Sequence, residues 1–530
     1  MTLRSLLCLF LAVLTATAFG AAHAAQPAPE PAILHVLNRL AFGPSSDDVQ
    51  HLRAIGIDAY VEEQLDPQSI PENPELVRHL SELETLRLQP SQLFALYGPP
   101  RPAEGANPSP DEVKARRERA RVILQQAAEA RVLRAMLSRR QLQEVMVDFW
   151  FNHFNVFAGK GLDHLWVGAY EEEAIRPYAL GKFRDLLLAT ARHPAMLFYL
   201  DNAQNAAPGS PGLRGKEAGS LNENYAREVM ELHTLGVSGG YTQDDVVALA
   251  RALTGWGLAR RNLRDGNEPA VSFDPARHDF GPKLLLGQPL QASGAGEEEE
   301  ALDRLARHPA TAHHIAFELA QYFVADAPPP GLVDRLAARF WESDGDIRTV
   351  LRTLFASREF RDAAGAKYKT PYQFVVSAAR AAGVEVRNPR PLLVAMGRLG
   401  MPIYGCQTPD GYKNTEEAWL SPDATTLRIS FATAFARGNL PVAAIPPTAP
   451  SPAPASPVAV PGAGDPAPSM PVAASAAGAD QGVKGEPVDA GRLERLLGPS
   501  LGERTRAVIS EAPAPLRAAL LLGSPDFMRH

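Results

Sequence analysis

The sequence predicts a mainly α-helical globular array, with few short strands or hairpins and a disordered Pro/Ala-rich linker. Three observations carry that prediction. Apolar residues recur at three- and four-residue spacing along most of the chain. Helix-start signatures, a Ser or Thr followed three residues later by an acid, recur in front of those runs. Stretches with the two-residue period of a strand are scarce.

The first residues read as a signal peptide over 1–24. Arg4 is its positive end, Leu6 to Leu14 its apolar run, and Ala22-His23-Ala24 an A-x-A cleavage site. The expected mature protein is exported, periplasmic or secreted, and cleaved after Ala24. No later stretch approaches the ~20 apolar residues of a membrane span. With Cys8 removed, Cys406 is the one cysteine left, which excludes an internal disulfide, a Cys-type zinc site and a CxxCH haem attachment. A 45% hydrophobic content then has to supply the stability through a core. Sub-domains are expected at 33–260 and 261–440, within a body spanning 25–440. The net charge of −7 argues against a nucleic-acid partner.

Ile33 to Leu40 reads as helix. Ser45 with Asp48 caps a second helix that stops at Gly56, and Asp58 lies at the start of a third. Ser109-Pro110-Asp111-Glu112 combines an N-cap, a Pro at the first helical position and a Glu closing a capping box. The basic run Lys114 to Arg121 reads as the exposed face of that helix. Almost nothing breaks it before Phe157, although its length implies a bend near Ser138. Leu142, Val145, Met146, Phe149, Trp150, His153, Phe154 and Phe157 form a buried stripe at 3, 4, 3, 4 spacing. His153 within it reads first as a core histidine, and Asp148, Asn152 and Asn155 flank it.

Phe183 to Leu188 forms a short amphipathic helix and Pro194 opens another, which ends in the polar cluster Asp201, Asn202 and Asn205. A glycine-rich loop, 206–221, leads from that cluster into the segment the chain is organised around, NENYAREVMELHTLGV over 222–237. At about 100° per residue, Tyr225, Ala226, Val229, Met230, Leu232 and His233 share one side. Glu223, Asn224, Arg227, Glu228 and Glu231 share the other, with both Glu223 and Glu231 four residues from Arg227. Two readings of that face stand open: a solvated surface stitched by weak ion pairs, or a covered set of acids and amides forming a metal or substrate site. His233 reads as a hydrogen-bonded core histidine. Gly236 stops the helix, Gly239-Gly240 makes a turn, and Thr242 with Asp245 starts the next helix.

Beyond Trp256, residues 271–286 read as a loop or small hairpin, with His278-Asp279 a loop pair able to bind metal or make a turn. Glu297 to Glu300 reads as the solvated acidic start of a helix. Arg307-His308-Pro309-Ala310 echoes Arg192-His193-Pro194-Ala195, a structural role for both histidines. His314 and Glu318 have metal-ligand spacing but no third partner nearby. Helices continue over 332–340 and 347–355. Residues 441–490 are the expected linker, and 491–530 carries a last helix, Leu516 to Leu522, expected to dock on the main body. Ser524, Asp526 and Phe527 after it echo the LFASREF segment at 354–360. The chain has no Walker loop, dinucleotide fingerprint, nucleophile elbow or HExxH.

HVLNRLAFGP (35–44), DFWFNHFNV (148–156), FRDLLLATARHPAMLFYLDNAQN (183–205), NENYAREVMELHTLGVSGGYT (222–242), ALTGWG (252–257), HDFGPKLLLG (278–287), HPATA (308–312) and LFASREF (354–360) occur in order. Together they closely resemble the exported bacterial family called domain of unknown function 1800. The resemblance implies a mostly helical exported protein, often encoded beside a second exported family, domain of unknown function 1501, which implies a partner. It implies no established activity. By motif it selects Asn222, Glu223, Asn224, Arg227, Glu228, Glu231 and His233, followed by His153, Asp201, Asn202, His278 and Asp279. The segment CQTPDGYKNTEEAW (406–419) departs from the family's pattern.

Three functions remain. The first is an enzyme acting on an envelope or extracellular polymer through Glu223, Arg227, Glu228, Glu231, Asn222, Asn224, Asp201 and Asn202. A divalent Mn, Fe or Zn could be held among His153, His233, Glu228, Glu231, His278 and Asp279. The second is a non-enzymatic assembly or binding protein, in which the same residues form a buried network fixing helix packing. The third, a haem oxidoreductase with His153 or His233 as axial ligand, has no supporting motif.

Overall fold

A computed structural model describes residues 30–99, 109–211, 219–443 and 485–530. The expected signal peptide and most of the expected linker lie outside the described residues. Helices dominate, and the strands among the described residues form two antiparallel pairs, Trp256–Leu258 with Val271–Phe273 and Leu284–Leu285 with Gln288–Pro289. No described helix is long and apolar enough to cross a membrane.

The sequence signals that open helices do so by direct hydrogen bonding. Ser45 accepts from the backbone N–H of Asp48, Ser109 shares a reciprocal capping box with Glu112, and Thr242 shares one with Asp245. Each satisfies N–H groups that the first helical turn leaves without an intrahelical acceptor. The repeated R-H-P-A segments are structural twins: His193 Nδ1 accepts from Ala195 N and His308 Nδ1 from Ala310 N, both at 3.2 Å. The LFASREF echo has the same basis, because Ser357 accepts from Phe360 N and Ser524 from Phe527 N, both at 3.1 Å. The bend expected near Ser138 is a full break. One helix ends at Leu137, and the next runs from Gln141 to His153.

One continuous apolar cluster runs from Ile33 to Met528, with Trp150 and Trp166 buried in it. Their indole N–H groups donate to the carbonyls of Ala179 and Pro90 at 2.9 and 3.1 Å, so neither is left with a lost hydrogen bond in the core. A charged layer crosses this core. Arg131 reaches Asp148 at 2.6 Å and Glu171 at 2.9 Å, and Arg176 reaches Glu144 at 2.6 Å and Glu171 at 3.1 Å. Tyr404 adds a hydroxyl to Glu171 at 3.0 Å. Removing one member would strand a buried charge, so the layer fixes how the helices meet.

Two expectations are revised. Glu297 and Glu298 are buried rather than solvated: Lys283 lies 2.5 Å from Glu297, and Arg192 2.8 Å from Glu298. Burial still pushes the Glu298 carboxyl up to about 7 against the pull of Arg192. The C-terminal region is also richer than one helix, adding Ala490–Leu497 and Glu503–Glu511 before Ala514–Leu522. Residues at both edges of the expected linker are bonded into the body: Arg387 N and Asn388 N donate to Val442 O, Gly485 N to Gly438 O, and Val488 N to Ala436 O.

Candidate functional site

The central element begins as the helix Asn224–Glu228 and widens into a π turn, Val229–Thr234. The Thr234 hydroxyl bonds the carbonyl of Val229, five residues back, at 2.7 Å. A wheel drawn at 100° per residue loses phase across such a turn, and π turns are frequent at functional positions. The buried side is Tyr225, Ala226, Val229, Met230, His233 and Thr234, with Leu232 only partly covered.

The polar end of the preceding helix does meet the start of this one. Asn205 Oδ1 accepts from Asn222 N at 2.9 Å, while its amide donates to Asn202 Oδ1 at 3.1 Å and to Ala250 O at 2.8 Å. Asn202 donates to Leu253 O at 3.4 Å and Asn224 to Leu200 O at 3.2 Å. Asn222 Oδ1 accepts from Asn224 N at 3.0 Å. Asp201 adopts a left-handed backbone, φ 61°, and pairs with Lys160 at 2.9 Å. These amides are largely taken up by backbone groups and by one another. They join two helix ends and two loops.

The acidic face divides in two. Arg227 bonds Glu223 at 3.1 Å and Gln243 at 2.9 Å, with side chains 41% and 35% exposed for the Arg–Glu pair, which is a surface stitch. Glu231 accepts from the Tyr241 hydroxyl at 3.2 Å instead of bonding Arg227. Glu228 is half-buried, and burial, then Glu231 and Asp410, raise its carboxyl above the ordinary range against the weaker pull of Arg227.

Asp410 arrives on the loop that runs from Cys406 to Lys413. Asn152 clamps that loop by accepting from Tyr412 N at 2.7 Å and donating to Tyr412 O at 2.8 Å. Asn155 donates to the carbonyls of Cys406 and Thr408 at 3.1 and 2.8 Å.

Behind this face, the histidines close the end of the central element. His153 Nδ1 lies 2.6 Å from Glu318 Oε2, and its Nε2 lies 3.2 Å from the carbonyl oxygen of His233. His314 Nε2 reaches the carbonyl of Leu232 at 3.1 Å and Glu318 Oε1 at 3.6 Å. The last carbonyls of the element, where the helix dipole is negative, therefore receive histidine N–H groups. Burial, then His153 and His314, push His233 well below its ordinary value, so its ring is neutral.

The six metal candidates do not form one group. His153 and His233 share the cluster just described, and Glu228 and Glu231 share the acidic face. His278 and Asp279 belong elsewhere: His278 Nδ1 reaches Thr254 O at 2.8 Å, and Asp279 holds Arg251 at 2.7 and 3.0 Å. Among the described residues, no three His, Cys, Asp or Glu side chains are grouped to hold a metal ion.

The family described as Protein of unknown function (DUF1800) matches residues 35–529 of this chain. The chain belongs to that family. No curated protein and no solved structure matches it. In this DUF1800 protein, sequence reasoning singled out the central helix and named His153 and His233, which the fold brings together with His314. It missed Glu318 as the partner of His153, because the two are 165 positions apart. It also missed Asp410, which has no local signal beyond a turn-forming segment.

Proposed function

We propose that this DUF1800 protein is an exported enzyme acting on an envelope or extracellular polymer by carboxylate acid–base chemistry. Glu228 is the proton donor and Glu231 its companion acid. The observation that carries the reading is the contrast between the two acids. Burial, then Glu231 and Asp410, raise the Glu228 carboxyl above its ordinary range, whereas Glu231 accepts a hydrogen bond from Tyr241. A pair of acids set apart by their surroundings can supply a proton and a stabilising charge in one step. Export rests on the signal-like residues 1–24. The histidines and Asn152, Asn155, Asn205 and Asn222 serve as scaffold for this pair.

The test is release of soluble product from host envelope fractions and defined extracellular polysaccharides by the mature protein, beside Glu228→Gln and Glu231→Gln. Turnover lost in both variants with no fall in melting temperature supports the reading. Turnover by Glu228→Gln equal to wild type overturns it.

A second reading, a non-enzymatic assembly protein working with an exported DUF1501 protein, is favoured by one observation. The His153–His314–Glu318 cluster and the amides around Asn205 are engaged in holding helix ends together. Mild cross-linking in the native host that recovers no such partner would remove it.

A further inference from the structure

A cavity lies apart from the acidic face. It has a volume of about 490 Å³ beside the Trp256–Leu258/Val271–Phe273 hairpin, and Arg260, Arg261, Asn262, Ser272 and Arg277 contribute to its wall. One acid, Asp274, also lines it, so three arginines and one acid contribute to the wall. Asp274 is engaged with the chain, accepting from Ala276 N at 3.0 Å.

Arg277 is the fixed element of this wall. It is 6% exposed, and its Nη2 donates to the carbonyls of Ala203 and Asn205 at 3.4 and 3.2 Å, which holds the guanidinium plane in place. Its buried Nε has no hydrogen-bond acceptor. A side chain at Gly257 would put its Cβ 3.2 Å from Arg277 Nη1, so the glycine leaves the approach to that group open. A buried cation with an unfilled donor is costly unless an anion or acceptor meets it. Arg261, by contrast, has a 94% exposed side chain and only a loose 3.8 Å pairing with Asp265, which leaves it able to swing over a ligand.

We infer that this cavity is a binding site for an anionic group, a carboxylate or a phosphate carried on a ligand of about sugar size. Arg277 is its fixed anchor, with Arg260 and Arg261 as the outer clamp. Volumes of this order hold small ligands, and a planar guanidinium with free donors suits both oxyanions. Burial, more than offsetting Asp274 and reinforced by Arg260, pulls Arg277 below its ordinary value, a strain that a bound anion relieves. The inference does not rest on Glu228: the acidic face and this cavity share no lining residue.

The test is calorimetric titration and thermal shift of the mature protein with inorganic phosphate, glucuronate and uncharged glucose, at constant ionic strength. Binding of phosphate or of glucuronate, but not of glucose, is expected, and the anion preferred names the ligand class. The double variant Arg260→Ala/Arg261→Ala weakens that binding about tenfold, the loss of roughly one charge-assisted hydrogen bond. Gly257→Val, which fills the approach to Arg277, abolishes it. Circular dichroism and the unliganded melting temperature keep lost binding separate from lost folding. Absence of binding by either anion, or equal binding by wild type and a folded double variant, overturns the assignment.

Discussion

His153 is bonded on both sides of its ring, to the Glu318 carboxylate at 2.6 Å and to the His233 carbonyl at 3.2 Å. One imidazole thus ties the Gln141–His153 helix, the central π turn and the Pro309–Phe323 helix. Burial would raise the Glu318 carboxyl, but His153, His314 and Lys413 together hold it below its ordinary 4.5. A depressed carboxyl adds stability above its unfolded value, and that stability is lost as the pH falls through the folded value. Glu318→Gln should therefore cost about 2 kcal/mol at neutral pH, a figure discounted because the side chain is 29% exposed. In acid the cost should fade. Urea unfolding at two pH values checks this, and an equal cost at both would show that the bond is not ionic.

Glu228 should behave in the opposite way. Its raised carboxyl makes the ionised form unfavourable in the fold, so the penalty grows as the pH rises through the ordinary carboxylate value. Glu228→Gln removes the penalty and should add ~0.5 kcal/mol at neutral pH, and nothing in acid. Activity should fall at the same time. Lost turnover with gained stability is the expected mark of a residue kept for chemistry rather than for packing.

Two buried histidines, the N-cap His193 and His35 inside the first helix, give a third test. Burial lowers His193 to about 3 and His35 to about 4. Both must stay neutral in the fold, so their support is full above the unfolded value of 6.5 and is lost as the pH falls below it. His193→Ala should cost about 1 kcal/mol at neutral pH, the usual value of an N-cap. His193→Asn, which can cap without charging, should keep that stability and remove its share of the acid sensitivity. A melting temperature measured across this pH range in all three proteins decides the matter.

The ring nitrogens of His153 and one nitrogen of His314 are already committed to Glu318 and to carbonyl oxygens. His153 should therefore hold no Mn, Fe or Zn, and elemental analysis should find equal metal content in the wild type and a folded His153→Asn variant. A stoichiometric metal that disappears in His153→Asn would overturn this.

The helical architecture was legible because capping and periodicity are local. Thr242 with Asp245 and the twin R-H-P-A entries depend on residues a few positions apart. The central helix was legible as an element but not in its phase, because nothing in NENYAREVMELHT announces a π turn. The acids at 297 and 298 misled for a related reason: helix-start acids are usually solvated, and only the distant Lys283 and Arg192 make their burial tolerable. Asp410 beside Glu228 depends on a clamp made by Asn152. Such long-range pairings are written in topology, not in spacing.

Gly438 and Gly485 meet backbone to backbone, N to O at 2.8 Å, so closely that a Cβ at 438 would stand 2.3 Å from the Gly485 oxygen. The 485–530 piece is anchored independently as well. Phe527 packs against Phe374 at 5.8 Å, and residue 530 exchanges backbone hydrogen bonds with Lys367. A chain severed between 444 and 484 should hence remain one particle, with its smaller fragment retained as a non-covalent subunit. Limited proteolysis there should leave migration on a native gel nearly unchanged and reveal two fragments only after denaturation.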